Sequence, residues 1–144
     1  VKTRKKVFEI LEENKAHTSL LEFEILESEQ IKDFDAVIDF IKEVKKIGCN
    51  IGVDDFGAGY SNFIMLTNLN IDFVKIDGSL IKEIDQRQNQ QVIVSTIASF
   101  SDQFGFKTVA EFVSSEAIYN KVKEIGVDYC QGYYFEKPIS FEEV

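Results

Sequence analysis

The sequence predicts an α/β fold of about five parallel strands joined by crossover helices. Three observations carry this reading. Short apolar or alternating runs recur along the 144 residues, each of strand length. Between them lie stretches with apolar side chains at helical spacing. Gly48, Gly105 and Gly126 then stand where helices would stop. Such a sheet is either doubly wound or closed as a barrel, and in both cases ligands bind at the carboxyl ends of the strands.

Taken in order, residues 4–14 place Val7, Ile10 and Leu11 on one face of an opening helix. His17 follows in a polar connector; it is the single histidine, and a metal site needs several convergent groups. Residues 20–26 read as a strand, with Glu22 and Glu24 on one face and Phe23 and Ile25 on the other. Ser28 is a suitable cap for a helix from about Gln30 to Ile47, whose stripe is Phe34, Val37, Ile38, Ile41 and Val44. Residues 51–53 are the next strand. A short helix is expected over 61–69, a strand over 72–76, about one turn of helix over 80–84, and a longer helix over 89–104 with Val92, Ile93, Ile97 and Phe100 as its stripe. Residues 107–111 form a strand, 115–125 a helix and 127–134 the last strand; a final helix is expected from Ser140.

A hydrophobic fraction of 44% supports a substantial core in a single domain. The net charge of −9 disfavours binding along a nucleic-acid polymer, which calls for a basic surface. Cys49 and Cys130 form no Cys-x-x-Cys pair and read as reduced thiols. No apolar run approaches the roughly 20 residues of a membrane span, so this segment is expected to make no membrane contact. A cytosolic location, alone or as part of a larger signalling protein, follows.

The chemistry is concentrated at Ile-Gly-Val-Asp-Asp-Phe-Gly-Ala-Gly, residues 51–59. Here an apolar strand ends in two adjacent carboxylates. Asp54 and Asp55 either cap the following turn or hold a divalent cation, for which carboxylate oxygen is the preferred ligand. The other strands break the tie. Glu24 and Glu27, Lys75, Glu111 and Gln131 also stand at or near strand ends. One acidic, metal-binding mouth accounts for the set better than independent caps do.

Five strings carry a family resemblance: Leu-Glu-Phe-Glu-Ile-Leu-Glu-Ser, Val-Asp-Asp-Phe-Gly-Ala-Gly-Tyr-Ser, Val-Lys-Ile-Asp-Gly, Val-Ala-Glu and Gln-Gly-Tyr-Tyr-Phe. In this order they resemble the later part of EAL domains, bacterial phosphodiesterases that cleave cyclic-di-GMP to linear pGpG. The resemblance implies a modified TIM barrel, of which residues 1–144 would be the C-terminal part: a partial (β/α) barrel lacking its N-terminal strands. It also implies a two-metal site for Mg²⁺ or Mn²⁺. Glu24 and Asp54 would be direct ligands, Asp55 would help hold the second ion, and Glu111 would bind metal or its water and serve as general base. Lys75 would orient the attacking water or offset phosphate charge. Gln131 would lie beside them, and Glu27 would steady the loop from Phe56 to Asn62. Self-association is expected through residues 56–69 or through open sheet edges.

Two departures bear on activity. The family's Glu-Ala-Leu motif and the Asn ligand on its next strand would both precede Glu24, and no Glu-Ala-Leu tripeptide occurs here. The isolated chain is therefore expected to be at best weakly active. In Val-Ala-Glu-Phe-Val-Ser, Phe112 stands where the family has Gly and Ser114 where it has a second Glu. The competing function is a noncatalytic EAL-like module that binds cyclic-di-GMP or a protein partner.

Overall fold

Five strands form one sheet in the order β1-β2-β3-β4-β5, each pairing in parallel with the next. They are β1 (Glu22–Leu26), β2 (Asn50–Phe56), β3 (Phe73–Ile76), β4 (Lys107–Ala110) and β5 (Tyr129–Cys130). The helices are α1 (Lys2–Glu13), α2 (Phe34–Ile47), α3 (Phe63–Asn68), α4 (Gly78–Ile81), α5 (Gln88–Phe104) and α6 (Glu116–Ile125). The computed structural model describes residues 2–26, 34–59 and 63–140. Among the described residues β1 and β5 each pair on one side only.

Strand alternation sorts the side chains into two faces. Ile51, Val53, Val74, Ile76 and Ala110 lie on one face, buried with Ile41, Val44, Val94, Ile97, Ile118 and Val122 of the helices. Burying each of these large aliphatic side chains contributes about 1.5–3 kcal/mol. The opposite face carries Glu22, Glu24, Asn50, Phe73, Lys75, Lys107, Val109, Tyr129 and Gln131 around a cavity of about 400 Å³. Gly52 also belongs to that face: the Phe73 ring lies across it, and a Cβ there would overlap the ring.

The amino ends of the strands are clamped by two aspartates in equivalent places. Asp72, just before β3, accepts from the Ile51 amide at 2.9 Å and meets Lys45 Nζ at 2.7 Å. Asp128, just before β5, accepts from the Thr108 amide and hydroxyl, both at 2.9 Å, and from Lys107 Nζ at 2.6 Å. Burial opposes ionisation of Asp128, but the bonds from Lys107 and Thr108 outweigh it and hold its pKa below the ordinary aspartate value. We expect Asp128→Ala to cost about 2 kcal/mol at neutral pH, the range for hydrogen bonds to a charged acceptor. Because the folded-state pKa is depressed, this contribution is complete above the unfolded value of about 3.9 and is lost as pH falls through the lower folded value. Urea titrations of both proteins at neutral and strongly acid pH check this; a stability gap that does not narrow in acid contradicts it.

Several sequence expectations are corrected. The last strand spans only Tyr129–Cys130 rather than 127–134. Beyond Gln131 the chain turns, with the Phe135 amide donating to Gly132 O and the Tyr134 amide to Val113 O. In α5 the buried face is Val94, Ile97, Ala98 and Ser101, while Val92 and Ile93 are exposed. The helical period allowed either face, and the packing of α5 on the sheet selects the one that includes Ser101, whose hydroxyl donates to Ala98 O. The connector containing His17 is a 3-10 helix, Lys15–Leu20, and the buried Thr18 donates from it to Ile47 O at 2.7 Å. Ser115 is the N-cap of α6, accepting from the Ile118 amide. Gly105 and Gly126 end α5 and α6 in left-handed conformations. Both cysteines are free thiols, and burial raises their pKa values. Glu27, the expected cap at Ser28 and residues 60–62 and 141–144 lie outside the described residues. No described helix is long and apolar enough to cross a membrane.

Candidate active site

Lys75 is the hub. It sits near the carboxyl end of β3, and its side chain is 14% exposed. Its ammonium lies 2.9 Å from Glu111 Oε1, 3.0 Å from Asp54 Oδ1 and 3.3 Å from Glu24 Oε1. Three strands besides its own therefore direct carboxylates at one cation. Burial disfavours the charge on Lys75, but the contacts with Glu111 and Asp54 win and raise its pKa above the ordinary lysine value. Glu111 shows the converse balance. Burial raises its pKa, Lys75 pulls it down, and Asp54 and Asp55 push it up, with a net rise.

Consecutive strand residues point to opposite faces, so Asp54 and Asp55 should not serve one site. The backbone resolves this. The pairing of β2 with β3 shifts between Val53 and Phe56, and Asp55 has φ +55°. A bulge of this kind re-aims a side chain, and aspartate tolerates the left-handed region better than most residues. Asp54, Asp55 and Glu111 consequently offer one carboxylate oxygen each, all within 4.8 Å of one another. Beyond, Gly57 lets the chain pass Leu80, whose side chain a Cβ there would overlap.

Glu111 is held from both sides. Its amide donates to Ile76 O at 3.3 Å, extending the pairing of β4 with β3. Two residues on, the Val113 amide donates to Gln131 O, and the Gln131 amide donates to Ala110 O at 2.8 Å. Gly132 is required by close approach, because a Cβ would overlap the main chain of Val113. Gln131 lines the cavity shared with Glu24 and Lys75 and a second cavity shared with Glu111.

A divalent cation fits this arrangement. Three converging carboxylates are a hard-cation donor set. Asp54 Oδ1 is also buried, and its cationic neighbour is the Lys75 ammonium at 3.0 Å, which it shares with Glu24 and Glu111. Asp54, Asp55 and Glu111 would hold the ion. Glu24, the remaining expected ligand, meets Lys75 but stands apart from that cluster.

The sequence model of the EAL domain matches residues 3–138. The chain belongs to the EAL domain family. It is 36% identical over 115 residues to the cyclic di-GMP phosphodiesterase PdeA of Borreliella burgdorferi, a match covering 80% of this chain and 17% of that protein. Among solved structures it resembles the PaMucR phosphodiesterase in complex with c-di-GMP, with a TM-score of 0.80 and 31% identity over 88% of this chain and 51% of that one. The Klebsiella pneumoniae BlrP1 manganese/cy-diGMP complex at pH 9.0 gives a TM-score of 0.81 and 28% identity, covering 88% of this chain and 33% of that one. This EAL chain thus spans about half of the PaMucR chain and a smaller share of the full-length relative.

Among site residues, sequence reasoning overlooked Tyr133, which shares the second cavity with Glu111. The Gln-Gly-Tyr-Tyr-Phe string contains it, but reading 127–134 as one strand hid the turn that brings it there.

Proposed function

We propose that residues 1–144 are the C-terminal part of a single EAL domain that hydrolyses cyclic-di-GMP to linear pGpG, with Mg²⁺ or Mn²⁺ as cofactor, in the bacterial cytosol as part of second-messenger signalling. The observation that carries this is the convergence of Glu24, Asp54 and Glu111 on Lys75 beside the Asp54–Asp55–Glu111 cluster. The relatives named as cyclic di-GMP phosphodiesterases, and neighbours solved with c-di-GMP and manganese, support it.

The bound ions would supply charge for the phosphoryl oxygens and lower the pKa of a water. The protein's part is positioning and proton handling. Asp54, Asp55 and Glu111 would hold an ion, and Glu24 would be a further ligand as the family resemblance implies. Glu111 accepts the proton of the attacking water at a carboxylate oxygen, held in place by its 2.9 Å contact with Lys75. Lys75 stays protonated and offsets charge on the phosphodiester while fixing Glu111 by the 2.9 Å contact. Gln131 orients the substrate from the cavity wall, and Glu27 supports the loop beyond Phe56.

A noncatalytic module that binds cyclic-di-GMP or a protein partner is the second reading, favoured by Phe112 and Ser114. A hydrolysis assay on the complete domain with Mn²⁺ separates them. Release of pGpG supports the enzyme, with the isolated chain much slower. Cyclic-di-GMP binding without turnover supports the module. We further propose that the isolated chain self-associates, through residues 56–69, where Ile64 is exposed, or through the edges at β1 and β5. Sedimentation at low micromolar concentration tests this, and a clean monomer contradicts it.

A further inference from the structure

Phe112 is an outlier that the reaction does not explain. Apart from glycines, only Phe112 and Asp55 have positive φ among the described residues, and for Phe112 it is +55°. A bulky side chain is disfavoured in this region by contact of its Cβ with the backbone. Burial does not offset that cost, because the residue is 55% exposed. The ring is nevertheless seated. It lies over Gly78, where a Cβ would overlap it, and the Lys82 ammonium stands 4.5 Å from its centroid.

The ring also faces a cavity of about 320 Å³, lined by Glu111, Phe112, Ser114, Gln131, Gly132 and Tyr133. Tyr133 is a second exposed aromatic, at 66%. Two exposed rings combined with an amide, a hydroxyl and a carboxylate suit a flat heterocycle that stacks and hydrogen-bonds at its edge. Glu111 belongs both to this cavity and to the carboxylate cluster. A ligand with its phosphate at the cluster would have its next rigid group at Phe112.

We infer that Phe112, seated on Gly78 and held by Lys82, is a stacking wall for a purine base of the phosphodiester substrate, with Ser114 and Gln131 meeting the base edge. This rests on the proposed function and adds to it a base-recognition residue. Strain at Phe112 then serves recognition, which matches the tendency of strained backbone to occur at binding sites.

The test uses the complete domain labelled with ¹³C at phenylalanine, titrated in Mg²⁺ with GMP and separately with ribose 5-phosphate, beside calorimetry with cyclic-di-GMP. GMP is expected to shift the ring resonances of Phe112, and ribose 5-phosphate to leave them in place. Phe112→Leu should weaken both nucleotides about fivefold or more, the lower end for loss of one stacked base, without changing Mg²⁺ affinity. Phe112→Gly, which relieves the backbone strain, should fold at least as well and show the same loss. Equal responses to the two probes, or unchanged nucleotide affinity in either variant, would overturn the inference and leave the functional reading standing. A complete wild-type domain that binds Mg²⁺ but neither nucleotide would overturn both.

Discussion

Lys75→Met is expected to destabilise the metal-free protein by about 3 kcal/mol, because it leaves Glu24, Asp54 and Glu111 facing one another with no cation between them. The sign of the pH dependence follows from the shifts. The pKa of Lys75 is raised on folding, so its contribution is complete at neutral pH and is lost only as pH rises through the folded value in strong alkali. Glu111 is already raised, and removing its cationic partner raises it further. The deficit of the variant should therefore shrink in acid, where the carboxylates become neutral. Divalent metal should also rescue it, since an ion at the cluster replaces the missing charge. Urea unfolding in chelator and in saturating Mn²⁺ measures both effects. An equal deficit in the two conditions would mean that Lys75 acts only as packing.

Asp54→Asn is expected to lower Mn²⁺-dependent cyclic-di-GMP hydrolysis by the complete domain at least about 100-fold. Even an outer hydrogen-bond partner of a metal ligand can cost 10–100-fold, and a ligand itself should cost no less. The amide is a weaker donor to a hard cation than a carboxylate. Metal-free stability should change little, because the variant loses the 3.0 Å ion pair with Lys75 but no longer pushes Glu111 upward. The variant should also gain little from added Mn²⁺. Unchanged turnover would remove Asp54 from the metal site.

The strand-helix alternation and its polar strand ends were legible in the sequence because each depends on local pattern. Glu22 and Glu24 face the cavity while Phe23 and Ile25 pack against the core, as a period of two requires. The convergence on Lys75 was legible only as a shared position at strand ends. What stayed hidden depends on backbone that breaks the period. Adjacent Asp54 and Asp55 serve one site only because of the register shift and the positive φ at Asp55. The short β5 follows from the packing of Gly132 on Val113, which no propensity reveals. The exposed Val92 and Ile93 show that a helix with apolar residues on more than one side does not declare its buried face. The clamps at Asp72 and Asp128 do leave a signal, an aspartate just before the aromatic residue that opens β3 and β5, but its meaning emerges only once the strands are neighbours.

Asp54, Asp55 and Glu111 are proposed to hold a divalent cation beside a protonated Lys75. Anomalous diffraction from crystals of the complete domain grown with Mn²⁺ and cyclic-di-GMP should show a manganese peak among these three carboxylates, with a phosphate oxygen of the nucleotide next to it. Manganese elsewhere, with Glu24, Asp54 and Glu111 still paired with Lys75, would contradict it.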